Sequence, residues 1–133
     1  MSTNPKTEIQ QMLEKDAFSK WLNVQIVDIQ AGYAKLSMLV REDMTNGFGV
    51  CHGGVTFAFA DSALAFASNS RGATSVAIEN NINYTKKVSV GDTLTAETEE
   101  IQNGRTLGVY KVKITNQKDQ LVAEFRGTVY RSI

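Results

Sequence analysis

Asn46-Gly-Phe-Gly-Val-Cys-His52-Gly53-Gly54 runs without a break into Val55-Thr-Phe-Ala-Phe-Ala-Asp61-Ser62-Ala-Leu-Ala-Phe-Ala-Ser-Asn69. The second stretch is apolar or small on every side of a helical wheel, which is the composition of a helix surrounded by protein. Its most apolar part, from Val55 to Ala67, falls short of the roughly 20 apolar residues a bilayer-spanning helix needs, and Thr56, Asp61 and Ser62 interrupt it. The sequence therefore predicts a buried helix entered through a glycine-rich turn. Upstream, Arg41 to Val50 is polar and carries Asn46-Gly47 and Gly49, which tolerate positive φ, so it reads as a loop that delivers the chain to the helix and could line a site.

Downstream the hydrophobic period changes from helical to two. Strands are expected over about Thr74 to Tyr84, Asp92 to Gln102, Arg105 to Thr115 and Gln120 to Tyr130, with turns at Val90-Gly91, Asn103-Gly104 and Asn116 to Asp119. The last three form a meander. Before the loop, Val24, Ile26 and Asp28 alternate on one side, and Tyr33 to Val40 follows a turn at Ala31-Gly32, which reads as a hairpin. Ile9, Met12 and Leu13 mark an amphipathic helix over Lys6 to Lys15 that Pro5 precedes, within an N-terminal helical segment 1–21. One buried helix with five or six antiparallel strands is an α+β layout, a curved sheet wrapped around a central helix, in a single domain over 1–133.

Composition narrows the function. Fourteen basic and fourteen acidic residues cancel, so no one-signed field favours nucleic acid. A lone cysteine, Cys51, and an N-terminus lacking an apolar stretch point to the cytoplasm. With one histidine and one cysteine, no metal-ligand cluster is expected.

Chemistry concentrates at the helix start. The first amides of a helix have no intrahelical acceptor and favour negative charge. Gly53, with Gly54 beside it, is thus a candidate donor to the oxyanion that forms when a thioester carbonyl is attacked. Taken alone, His-Gly-Gly is also what a tight helix-starting turn requires. Asp61 is more telling, because a carboxylate on a buried helix carries a desolvation cost that something must offset. It either pairs structurally or faces a substrate channel as base or nucleophile. His52 either orients a carbonyl and the Asn46 loop or satisfies backbone groups. Cys51 reads as a small buried hydrophobe.

Asn46, the His52-Gly53-Gly54 helix start, Asp61-Ser62, Ala67-Ser-Asn-Ser-Arg-Gly72, Gly91-Asp92-Thr93-Leu94, Gly104-Arg105-Thr106, Gly108-Val-Tyr110 and Ala123-Glu-Phe-Arg-Gly127 together resemble the phenylacetic-acid-degradation (PaaI-type) hotdog-fold acyl-CoA thioesterases. The likeness spans nearly everything from Asp16 onward. It implies a hotdog fold and hydrolysis of aryl-acyl-CoA esters such as phenylacetyl-CoA or hydroxyphenylacetyl-CoA, with no cofactor besides the CoA of the substrate. It further implies that Gly53 polarises the carbonyl, that Asp61 of the partner subunit attacks it or activates water, that Asn46 and His52 hold the carbonyl end, and that Ser62 positions the water. CoA would lie along Tyr84 to Ser89 and Gly104 to Thr106, with Lys86, Lys87 and Arg105 at phosphates. Relatives commonly carry a proline where this chain reads Tyr84-Thr-Lys-Lys87-Val. Phe48 and Phe57 are assigned to the core, although either could touch an aromatic acyl group. A sheet with unpaired edges favours homodimers, paired into a tetramer. Two other readings stay open: an acyl-CoA-binding module without catalysis, and a hydratase, for which the acid–base pair on one loop is lacking.

Overall fold

Asn4 accepts a hydrogen bond from the amide of Lys6 and so caps α1 (Pro5–Glu14), which buries Ile9. Pro5 sits inside the first turn rather than ahead of it, where its missing N–H costs nothing. Asp16 caps a separate short helix, α2 (Ala17–Trp21), in the same way. The computed structural model describes residues 4–132.

The strands are β1 (Gln25–Gln30), β2 (Tyr33–Leu39), β3 (Thr74–Tyr84), β4 (Thr93–Asn103), β5 (Leu107–Thr115) and β6 (Leu121–Ser132), and α3 (Gly53–Asn69) lies between β2 and β3 in the chain. They form one antiparallel sheet in the order β1-β2-β4-β5-β6-β3. The β1–β2 hairpin and the β4–β5–β6 meander match the sequence expectation. One detail of the hairpin differs. A bulge between Ile26 and Asp28 shifts the phase of β1, so Ile29 takes the buried position and the simple Val24, Ile26, Asp28 alternation breaks down.

The sheet curls over α3, whose Phe59, Ala60, Ala63, Leu64, Phe66 and Ala67 are buried against Leu36, Leu94, Val112, Ile114 and Phe125. Within one chain the wrapping is incomplete. Gly54, Ala58, Asp61, Ala65 and Asn69 recur every three or four residues and form the least covered flank of the helix. The expected all-round burial therefore fails along the stripe that carries Asp61. β3, at the sheet edge beside this flank, leaves Val76 56% and Ile78 59% exposed. No helix among the described residues is long and apolar enough to cross a membrane.

Candidate active site

The loop before α3 is held by its own side chains. Asn46 Oδ1 accepts from the amides of Phe48 (2.9 Å) and Val50 (3.3 Å), and the Asn46 amide donates to the Val50 carbonyl. Its Nδ2 finds no acceptor among the described residues. An isolated bridge between Thr45 and Cys51 and a bond from the His52 amide to the Met44 carbonyl (2.8 Å) close the base of the loop.

His52 is the N-cap of α3, and its Nδ1 accepts from the Gly54 amide at 2.8 Å. An accepting Nδ1 carries no proton, so in the neutral ring the proton lies on Nε2, which is left as a donor. The two glycine amides are thereby distinguished. Gly54 N–H is occupied by its own cap, whereas Gly53 N–H finds no acceptor among the described residues. A free amide at the positive end of a 17-residue helix suits a developing oxyanion. Tyr84, at the end of β3, donates its hydroxyl to the Gly53 carbonyl at 2.7 Å, and burial raises the pKa of that hydroxyl, which keeps it protonated.

Gly53, Tyr84, Lys86 and Lys87 share a recess of about 420 Å³ with Val50, Cys51, Thr56, Thr85 and Val88. Asp61 opens elsewhere. It lines a second recess of about 250 Å³ with Met12, Leu64, Ala65, Ser68, Asn69, Ser75, Val76, Ala77 and Val129. Asp61 stands eight positions beyond Gly53, about 12 Å along the helix axis. One chain therefore holds the Gly53 amide and the Asp61 carboxylate in separate recesses. Gly104, Arg105 and Thr106 form the β4–β5 turn, beside the start of β3 and the end of β6 and far from Tyr84; the Arg131 amide donates to the Thr106 carbonyl at 2.7 Å.

Burial raises the pKa of Asp61, a hydrogen bond from Asn80 opposes that rise, and the charge of Asp16 adds to it. Asn80 Nδ2 donates to Asp61 Oδ1 at 3.1 Å, and Oδ2 has no partner among the described residues. Sequence reasoning missed Asn80 because nothing marks one polar residue of β3 as facing inward. Ser62 is buried with its hydroxyl 2.7 Å from that of Ser19, which donates in turn to Asp16 Oδ2 at 2.7 Å. Its hydroxyl is thus engaged with the N-terminal segment. Phe57 packs edge-on against Phe125 at 5.4 Å, as a core residue should. Phe48 does the opposite of what was expected: at 92% exposure it projects from the loop tip, because the loop turns outward around Asn46. Among the described residues no group of three or more His, Cys, Asp or Glu is placed to hold a metal.

The family model described as the thioesterase superfamily matches residues 48–123. Acyl-coenzyme A thioesterase PaaI of Escherichia coli (strain K12) is 41% identical over 120 residues, which cover 90% of this chain and 86% of that protein. The solved structure of E. coli PaaI, from the phenylacetic acid degradation operon, superposes with a TM-score of 0.95 at 38% identity, covering 98% of this chain and 94% of that one. A hypothetical thioesterase protein of Streptococcus pneumoniae TIGR4 solved with coenzyme A gives a TM-score of 0.86 at 30% identity, covering 92% of this chain and 95% of that one. A curved six-stranded sheet around a helix, a free amide at its start and this degree of likeness lead to one conclusion: the chain belongs to the thioesterase superfamily, among its PaaI-type hotdog-fold acyl-CoA thioesterases, and is a thioester hydrolase.

Proposed function

We propose that this enzyme hydrolyses aryl-acyl-CoA esters, phenylacetyl-CoA or hydroxyphenylacetyl-CoA among them, to the free acid and CoA at a site shared between two copies of the chain. The division of one chain into a Gly53 half-site and an Asp61 half-site carries this reading. β3 is an edge strand with unpaired backbone groups and exposed Val76 and Ile78, which invites antiparallel pairing with its own copy. Such a pairing sets the Thr74 end of one β3 beside the Tyr84 end of the other. The Asp61 flank and the Gly104–Thr106 turn of one copy then approach the Gly53, Lys86 and Lys87 recess of its partner. Dimers of this kind would pair again into a tetramer.

In the shared site the thioester carbonyl accepts from Gly53 N–H, with His52 Nε2–H and Asn46 Nδ2 as further donors at the carbonyl end. The partner's Asp61 carboxylate removes a proton from water as the water oxygen bonds to the carbonyl carbon. The tetrahedral oxyanion collapses, the C–S bond breaks, and the CoA thiolate takes up a proton. In the alternative covalent route Asp61 itself bonds to the carbonyl carbon, expels CoA thiolate, and water cleaves the resulting anhydride. Neither route needs a cofactor. Ser62, next to Asp61 in α3, serves the site by tying the helix to Ser19. Lys86, Lys87 and Arg105 supply positive charge for CoA phosphates, a reading supported by the coenzyme A bound to the S. pneumoniae relative.

The test is thiol release from phenylacetyl-CoA, hydroxyphenylacetyl-CoA and straight-chain acyl-CoAs by wild type and Asp61→Asn. Loss of the order of a hundredfold or more in the variant is expected, and wild-type turnover in a folded Asp61→Asn protein would refute the assignment. A single turnover in heavy-oxygen water tests the covalent route, because label enters Asp61 only when water attacks the Asp61 carbon of the anhydride.

A further inference from the structure

The bulge in β3 decides which residue meets Asp61. Before it, Ser75 lies on the inward face; the register against β6 then shifts between Ala77 and Glu79, and Asn80 and Ile82 become the more covered residues while Glu79, Asn81 and Asn83 are exposed. Without the extra residue, strict alternation from Ser75 would turn Glu79 toward α3, a carboxylate against a carboxylate. The bulge substitutes an amide.

The partner strand makes room for that amide. Asn80 pairs with Gly127 on β6, and a Cβ at Gly127 would lie 2.7 Å from Asn80 Oδ1 and 2.6 Å from Leu64 Cδ2. Within this tight space Asn80 Nδ2 donates to Asp61 Oδ1, while Asn80 Oδ1 is buried with no hydrogen-bond partner among the described residues. An unpaired buried carbonyl is destabilising, and an apolar side chain of the same size would avoid the cost. The position therefore retains a group that harms packing and serves only through its donor.

Resting on the reading of Asp61 as base or nucleophile, we infer that Asn80 is a positioning residue for the reaction: its amide holds Oδ1 of Asp61, so that Oδ2 is the oxygen presented to water or to the thioester carbon. The bond also favours the charged carboxylate. Asp61 titrates above its usual range because of burial, with Asp16 at the start of α2 acting in the same direction and the Asn80 bond against both. Among the described residues of the same chain, the other elements around it offer no compensating charge: α1 contributes Met12, and β6 contributes Val129 and Gly127. Removing the donor takes away what opposes burial and Asp16 within the chain, so the carboxyl holds its proton to higher pH.

The experiment uses Asn80→Leu, which keeps the branching at Cγ and the number of heavy atoms, and Asn80→Asp, which keeps the shape. Hydrolysis of phenylacetyl-CoA and hexanoyl-CoA is followed across pH, and the carboxyl stretch of protonated Asp61, identified by its loss in Asp61→Asn, is followed by difference infrared spectroscopy without substrate. For Asn80→Leu, kcat falls roughly tenfold with KM unchanged, the acidic limb and the infrared titration move to higher pH, and resistance to urea is no lower than wild type. Asn80→Asp moves both titrations further in the same direction, since two facing carboxylates share one proton, and it carries the test alone if Asn80→Leu does not fold. Wild-type titration of Asp61 in these variants overturns the inference. Wild-type turnover in Asp61→Asn instead overturns the role of Asp61, and the inference with it, so the two failures are told apart.

Discussion

Replacing Tyr110 by Phe deletes one oxygen from a fully buried side chain and leaves the ring in place. That oxygen accepts from Arg131 Nη2 at 2.8 Å and donates to Glu100 Oε2 at 2.7 Å. Arg131 is 5% exposed, its Nε has no partner among the described residues, and its other hydrogen bond there is a long one of 3.4 Å from Nη1 to the Ser68 carbonyl in the last turns of α3. The variant thus leaves a buried guanidinium with one weak bond, while Glu100 keeps Arg71 at 2.7 Å. A hydrogen bond to a charged group is worth about 1.5–3 kcal/mol, and the stranded cation puts the expected loss near the top of that range, about 2–3 kcal/mol. Urea unfolding at neutral pH and one protein concentration measures it, with an unchanged m value as the sign that the end states are the same. Combining Tyr110→Phe with Arg131→Met removes both ends of the bond, so the double variant should lose less than the two single losses added together. A loss below about 0.5 kcal/mol for Tyr110→Phe, or strict additivity in the double variant, would refute this account of the clamp.

The remaining expectations concern charge, packing and assembly. Asp61→Asn should resist urea better than wild type at neutral pH while losing turnover: with a raised folded pKa, the contribution of Asp61 to stability is greatest at low pH and is lost as pH rises through the folded value. Glu100 has the opposite sign. The Arg71 hydrogen bond lowers its pKa, so its contribution is present above the unfolded carboxylate range and is lost as pH falls through the folded value; Arg71→Ala should make the urea midpoint less sensitive to acidification. Gly127→Ala, whose Cβ meets Leu64 Cδ2 at 2.6 Å, should cost about 1–3 kcal/mol by urea unfolding. Val76→Lys with Ile78→Lys should lower the mass found by light scattering and abolish turnover together, and an active monomer would refute the shared site.

The parts of this fold that declare themselves locally were legible in the sequence. The composition of α3, the period of β4 to β6 and the turn residues between them each depend on a few neighbouring positions. What depends on distant partners was not. β3 follows α3 directly yet pairs with β6 at the far edge, and no local pattern says so. The bulges in β1 and β3 invert a side-chain phase that period counting carries straight through, which hid Ile29 from the core and Asn80 from the site. His52, Gly53 and Asp61 stand out because their residue types are costly in such places. The bond from Gly54 to His52, which leaves Gly53 as the free amide, is a matter of rotamer and became visible only in three dimensions.

The loop that Asn46 ties together bears on how substrate is captured. A segment with Gly47 and Gly49 has a large conformational entropy when loose, and ordering it would cost about 1–2 kcal/mol per residue. Here the Asn46 carbonyl oxygen, the Thr45–Cys51 bridge and the His52 amide fix it before any ligand arrives. The cost falls on folding rather than on binding, and on the proposed reading the donors at the carbonyl end are already aimed when a thioester enters. An enzyme so arranged needs little closure around its substrate; discrimination then rests with the walls that meet the acyl chain, and the rate of encounter is governed by diffusion into an open recess rather than by the motion of a lid.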